Sequence, residues 1–152
     1  MIKILFICHG NICRSPMAEV IFTHLVREAG LEKEFEIASA AVSREEIGNP
    51  VYPPARRALA EIGLSCPQRG ARQMTREDYA HYDLLLGMDR SNLRGMQRIA
   101  GGDPEGKLHL LMEYAGSTAE VDDPWYSGDF TKARSDILAG CKGLLAAILR
   151  EG

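Results

Sequence analysis

The chain has 152 residues, 45% of them hydrophobic and 26% charged, the balance of one folded domain spanning 1–152 and not of a disordered, collagen-like or disulfide-stapled chain. A formal charge of -3 excludes a broadly basic surface, so no nucleic-acid partner is expected and any anion must be bound locally. The apolar stretch at 143–149 is far shorter than the roughly 20 residues that a membrane-spanning helix needs, so no membrane insertion is expected.

Met1-Ile2-Lys3 leads directly into apolar sequence without a signal-peptide cleavage pattern, which predicts a cytoplasmic protein. Residues 2–8 are almost all apolar and β-rich, as a central strand buried on both faces requires. Gly10 ends that run. Ser15-Pro16 then reads as a helix entrance, with Ser15 as cap and Pro16 at the first helical position. Val20, Ile21, Leu25 and Val26 continue it at helical spacing as far as Gly30.

A short strand is expected at 35–38, followed by a loop rich in proline and glycine and a helix over 55–61 that stops at Gly63. Residues 83–88, "DLLLGM", read as another buried strand, and 90–99 as a helix stopped by Gly101-Gly102. A last strand is expected at 108–112. From Phe130 onward, Ile137, Cys141, Leu144, Leu145 and Ile148 fall on one helical face. Strands alternating with helices predict an α/β fold, a parallel sheet covered on both faces, with its site at the carboxyl ends of the strands.

Cys8 to Ser15 lies at such an end and has the spacing C-x5-R-S. On its own the match is also what a buried strand-end thiol and a surface arginine would produce. Its position between a buried strand and a helix start adds weight, because a loop curling into a helix N-terminus gathers unpaired N–H groups and the positive dipole end around one anion. Gly10 and Asn11 tolerate left-handed backbone. Arg14 supplies a planar fork for two phosphate oxygens, Ser15 a hydrogen bond to sulfur, and the positive field favours a Cys8 thiolate. A phenolate leaving group also needs an acid. "VDDPWYSGDF", residues 121–130, offers Asp123 with Trp125 and Tyr126 as an aromatic wall, although an ordinary Asp-Pro turn carrying surface aromatics fits the same residues.

These motifs, "CHGNICRSPMAE", "ARQMTREDYAHYDLLLGMDRSNL" and "DDPWY", occur in the order in which they resemble the low-molecular-weight protein tyrosine phosphatases, over nearly the whole chain. The resemblance implies a four-stranded parallel sheet flanked by helices, a cysteinyl-phosphate intermediate, and no metal or cofactor. It implies Cys8 as nucleophile, Arg14 as the phosphate-binding arginine, and Asp123 as general acid and base. The loop His9, Gly10, Asn11, Ile12, Cys13, Arg14 and Ser15 would hold the phosphate, with Asp89 and Asn92 supporting it. Cys8 and Cys13 would form a reversible disulfide that shelters the nucleophile from irreversible oxidation.

The implied partner is a phosphotyrosine-bearing protein, with a tyrosine kinase as a further one; a monomer or weak dimer is expected. Glu45 stands where many members carry a pocket-lining tryptophan, which puts Glu45, Trp125 and Tyr126 on the substrate rim. Ala40, Tyr52 and Pro54 also depart from the common pattern. Cys141 is expected in the core, while Cys66 has no evident partner. Three rivals remain on the same scaffold or residues: a protein-arginine phosphatase, in which threonine would stand at the position held here by Ile12, so that Ile12 favours phosphotyrosine; a thiol-dependent arsenate reductase, which needs a resolving cysteine pair; and a non-catalytic phosphate-binding module.

Overall fold

A computed structural model describes residues 1–151. The central strand β1 (Ile2–Cys8) has the predicted span. It pairs in parallel with β2 (Phe35–Ala41) on one side and with β3 (Leu84–Gly87) on the other, and β3 pairs in parallel with β4 (Leu108–Leu110). The order is β2-β1-β3-β4. Helices α1 (Arg14–Glu28), α2 (Pro53–Ala60), α3 (Arg76–His81), α4 (Arg90–Ala100), α5 (Pro124–Ser127) and α6 (Phe130–Glu151) complete the chain.

Side-chain alternation along β1 sorts the core into two layers. Ile4, Phe6 and Cys8 join a cluster with Met17, Ile21 and Phe22 of α1 and Ile137, Cys141 and Leu144 of α6. Leu5 and Ile7 point the other way, against Tyr79 of α3 and Met96 and Ala100 of α4. Each fully buried side chain of this size contributes about 1.5–3 kcal/mol. Phe22 meets Phe6 and Phe35 edge to face, with centroids 5.7 and 5.6 Å apart. β1 is thereby gripped from both faces, which fixes where its last residue, Cys8, can stand.

Several boundaries differ from the sequence expectation for identifiable reasons. β2 runs to Ala41 instead of residue 38, because its far end pairs with Cys8 and bridges Gln73. α2 begins at Pro53, whose fixed φ suits a first helical turn. α3, absent from the sequence reading, is a six-residue helix held by a capping box between Thr75 and Asp78. β4 stops at Leu110 because the chain turns there into a 3-10 segment, Leu111–Ala115. That segment drives Leu111 onto α6. The crossing is close: a Cβ on Gly140 would lie 2.6 Å from Leu111 Cγ, and one on Gly143 1.8 Å from the Tyr114 carbonyl oxygen. Among the described residues no helix is long and apolar enough to cross a membrane.

Candidate active site

Beyond Cys8 the chain leaves the sheet and curls into α1. Asn11 makes the turn with φ +60°, a left-handed conformation that asparagine tolerates better than most residues. Gly10 does not share it. Its lack of a side chain serves a close approach, since a Cβ there would lie 3.2 Å from Glu46 Cγ. The backbone N–H groups of residues 10 to 15 donate to no acceptor among the described residues, leaving them directed around one concavity at a helix N-terminus.

Ser15 is not the helix cap that the sequence suggested. α1 starts at Arg14, with Cys13 at the cap position and no side-chain capping bond. The Ser15 hydroxyl is engaged elsewhere: Asn11 Nδ2 donates to Ser15 Oγ at 2.7 Å, and Ser15 Oγ lies 3.1 Å from Cys8 Sγ. A hydroxyl has a single proton. When Cys8 is a thiolate it has no proton to give, so its contact with Ser15 can only run from the hydroxyl to sulfur, which is nearer than the Ala40 carbonyl at 3.5 Å. The contact therefore stabilises negative charge on Cys8.

Asn11 is held in turn by a segment far along the chain. The Arg72 backbone N–H donates to its Oδ1 at 3.2 Å, and Arg69 Nη2 donates to its carbonyl at 2.7 Å. Arg69 Nη1 is buried without a partner, a cost of about 1–3 kcal/mol accepted in setting a guanidinium behind the loop, where it feels the charge of Cys8. Arg72 forks onto Asp78 at 2.9 and 3.2 Å, which ties this segment to the cap of α3.

Arg14 is almost wholly buried. Its Nη1 donates to Asp89 Oδ2 and to the Val121 carbonyl, both at 2.8 Å. Asp89 Oδ1 accepts from the Asn92 N–H while Asn92 Oδ1 accepts from the N–H groups of Met88 and Asp89, so α4's capping box doubles as the brace for Arg14. Those bonds use both protons of Nη1. Nε and Nη2 remain, a planar fork directed at the cup. Burial works against the Arg14 charge, yet Cys8, Asp89 and Asp123 outweigh it and hold the guanidinium pKa above its ordinary value.

Asp123 sits at the mouth, capping α5 by accepting from the Trp125 N–H at 3.0 Å, with its other oxygen 3.4 Å from Arg14 Nη2. Pro124 opens that one-turn helix and Gly128 closes it. The Arg90 guanidinium donates to the Thr118 carbonyl, and its backbone N–H to Glu120, which pins the approach to this loop.

One cavity of about 130 Å3 is lined by Cys8, His9, Gly10, Ile12, Cys13, Arg14, Glu45, Asp123, Trp125 and Tyr126, together with Glu46, which the sequence reading missed. Asn11, Ser15, Asp89 and Asn92 lie behind this lining and hold it. His9 Nε2 is 3.0 Å from Glu45 Oε2, a hydrogen-bonded pair across the rim. Tyr52 does not enter the cavity; it packs behind Trp125, ring centroids 4.8 Å apart. Cys13 lies beside the nucleophile, its thiol pKa pushed up to about 12 by burial first and then by Cys8 and Asp123, so it stays protonated. Cys141 is buried in the core as expected, and Cys66 is half-buried; all four thiols are free. Among the described residues no three metal-ligating side chains cluster.

A parallel α/β sheet with a cysteine at the floor of an amide-lined cup, an arginine fork beside it and a carboxylate at its mouth defines the class of cysteine-based phosphate-monoester hydrolases. Comparison narrows the class: the low molecular weight phosphotyrosine protein phosphatase family model matches residues 3–152, and the chain belongs to that family. It is 37% identical to the low molecular weight protein-tyrosine-phosphatase YfkJ of Bacillus subtilis, with 99% of this chain and 98% of the relative covered. The crystal structure of YfkJ superposes with a TM-score of 0.95 over 99% of this chain and 96% of that one. The Rattus norvegicus low molecular weight phosphotyrosine protein phosphatase is 38% identical, covering 94% and 93% of the two chains. A drosophila arginine phosphatase structure, 30% identical, superposes with a TM-score of 0.89 over 97% and 98%.

Proposed function

We propose that the protein hydrolyses phosphotyrosine in protein substrates, and small aryl phosphates, through a cysteinyl-phosphate intermediate. Cys8 Sγ attacks phosphorus as the P–O bond to the phenol breaks, and Asp123 gives its proton to the departing oxygen. Water then attacks the phosphocysteine, its proton passing to the Asp123 carboxylate while the P–S bond breaks and returns the Cys8 thiolate. The free amides of the loop and the Nε–Nη2 edge of Arg14 stabilise the equatorial oxygens in both steps. The observation that carries this reading is the meeting of Cys8, Arg14 and Asp123 in one cavity, with Ser15 aimed at the sulfur. Its floor is deep and Trp125 and Tyr126 stand at its mouth, a shape that favours the long arm of phosphotyrosine over phosphoserine.

Asn11, Asp89 and Asn92 position the loop and Arg14, and Glu45, Trp125 and Tyr126 meet the substrate rim. The four free thiols suit a reducing compartment, and we place the protein in the cytoplasm, acting as one domain, as a monomer or weak dimer. Its partner is a phosphotyrosine protein, with a tyrosine kinase as the enzyme that must supply it. Cys13, adjacent to Cys8, traps oxidised Cys8 as a disulfide; peroxide inactivation is then reversed by dithiothreitol in the wild type but not in Cys13→Ser.

The deciding experiment measures phosphate release from a phosphotyrosine peptide and from phosphoarginine, under reductant and chelator, for wild type and Cys8→Ser. Chelator-resistant release from the peptide, abolished in Cys8→Ser, is expected. Release from phosphoarginine alone would transfer the assignment to the arginine phosphatase reading, which the likeness to the drosophila structure supports. No release from either would leave a phosphate-binding module.

A further inference from the structure

A polypeptide that places a phosphorylated side chain in the catalytic cavity must leave it over the rim. One side of the rim is closed by the His9–Glu45 pair. The other opens, over Ile12, Glu46 and Trp125, into a second groove of about 410 Å3 that shares those three residues with the cavity. The floor of this groove is preformed. Pro50 and Pro53 fix the backbone and offer no N–H groups, and Tyr52 is wedged between Trp125 and Phe130.

Arg56 stands at the groove in the first turn of α2. It is half-buried, its backbone N–H donates to the Tyr52 carbonyl at 3.1 Å, and its guanidinium makes no hydrogen bond or ion pair among the described residues. A guanidinium partly removed from water with its donors unused is a site for an anion. Its charge reaches the half-buried Cys66, whose thiol burial keeps protonated; Arg69 adds a second positive charge there and Glu19 the one opposing negative charge, and neither is paired with Arg56. The cavity end of the same path carries Glu45, Glu46 and Asp123. The path thus runs from an acidic mouth to an unpaired cation.

We propose that this groove is the docking surface for the substrate polypeptide on one side of the phosphotyrosine, and that Arg56 pairs with an acidic side chain of that segment. Continuity with the catalytic cavity selects the occupant, and the isolated charge of Arg56 selects its chemistry. The proposal rests on the phosphotyrosine reading above.

The test measures kcat/KM for para-nitrophenyl phosphate and for phosphotyrosine peptides in which a single aspartate is walked along both sides of the phosphotyrosine, in wild type, Arg56→Gln and Arg56→Glu. In the wild type, aspartate at one offset, on one side only, is expected to lower KM about two- to fivefold relative to alanine, the range of a part-exposed charge pair. Arg56→Gln removes that preference, and Arg56→Glu transfers it to lysine at the same offset. All three proteins keep equal activity on para-nitrophenyl phosphate, which also reports that the variants are folded. A flat scan with para-nitrophenyl phosphate still hydrolysed, or a preference that survives Arg56→Glu, overturns the groove alone. A flat scan accompanied by a changed sedimentation coefficient in Arg56→Glu makes the groove an interface between copies of this chain and overturns its role as a substrate track. A wild type inert on every substrate overturns the phosphatase reading and the groove's role with it.

Discussion

The loop from Cys8 to Ser15 and the rim around it are made in opposite ways. In the loop, Asn11, Arg14 and Ser15 are almost completely buried; Asn11 is held from far along the chain by Arg69 and Arg72 and Arg14 by Asp89 and Val121, while Ser15 is held within the loop by Asn11 and Cys8. On the rim, Trp125 and Tyr126 are 53% and 83% exposed, and His9 and Glu45 are bound chiefly to each other. Position errors in the loop would propagate through a closed network, whereas a rim residue can change with little consequence for its neighbours. Chemistry is therefore expected to be brittle and recognition tolerant.

The sharpest probe of that contrast is Asp123, which belongs to both regions, capping a rim helix while facing Arg14. If it is the proton donor, Asp123→Asn keeps the cap, because an asparagine oxygen still accepts from the Trp125 N–H, but removes the proton. The expected outcome is a fall in kcat/KM, which reports the steps up to phosphocysteine formation, of about 10²–10⁴-fold on a poor leaving group such as phosphotyrosine, with a much smaller loss on an activated aryl phosphate. Equal losses on both would place Asp123 with the structural residues instead.

Asn11→Ala tests the loop alone. It leaves the Ser15 hydroxyl, the Arg72 N–H and the turn itself without their partner, and substitutes a residue ill-suited to φ +60°. Losing buried hydrogen bonds costs about 1–3 kcal/mol, so kcat should fall about five- to 150-fold, accompanied by a lower Tm. A loss of less than twofold would show that the loop is as tolerant as the rim.

How far this contrast could be seen in the sequence follows from the range of the interactions. β1, the face of α1, the helix after Asp89 and the apolar stripe of α6 are all local patterns, and each was legible. Short, ordered motifs also single out Cys8, Arg14 and Asp123, which the fold brings to one cavity. What was not legible depends on contacts across the chain. Arg69 and Arg72 lie 58 and 61 positions from Asn11, in a stretch with no periodicity. Ser15 reads in the sequence both as a helix cap and as a hydrogen-bond partner of sulfur; the placement of Asn11 and Cys8 shows that its hydroxyl is used in the second way and not in the first. α3 is too short to show an apolar stripe, though its Thr75-x-x-Asp78 spacing was a usable signal. Tyr52 stands out in the sequence only as a departure from the common pattern; its stacking on Trp125 shows that an aromatic there supports the rim from behind.

Cys13 adds a pH signature to the loop's burial. Its thiol is raised from 9.0 to about 12, so between these values the unfolded chain releases a proton that the folded chain retains. The folded state then binds more protons, and stability must fall as pH rises above about 9. Each such thiol steepens the decline by about 1.4 kcal/mol per pH unit. Cys141, raised by burial alone, acts in the same direction. Denaturant unfolding of Cys13→Ser across this range should show a shallower decline by about that amount. An unchanged slope would mean that Cys13 is as accessible to water as the rim.

The smallest effect is expected from Glu45. Its pair with His9 joins two side chains that are 69% and 47% exposed, a class of interaction worth about 0.2–1 kcal/mol. The Glu45 carboxylate also stands beside the path of a phosphate dianion, so removing its charge should help binding. Glu45→Gln is expected to lower KM by about two- to fivefold with kcat little altered, and added salt should erase the difference because both charges face water. The contrast between loop and rim is broken if kcat falls with the charge. Such a result would mean that the His9–Glu45 pair orients the loop from outside as Asn11 does from beneath, and that the closed network around the nucleophile extends through the rim.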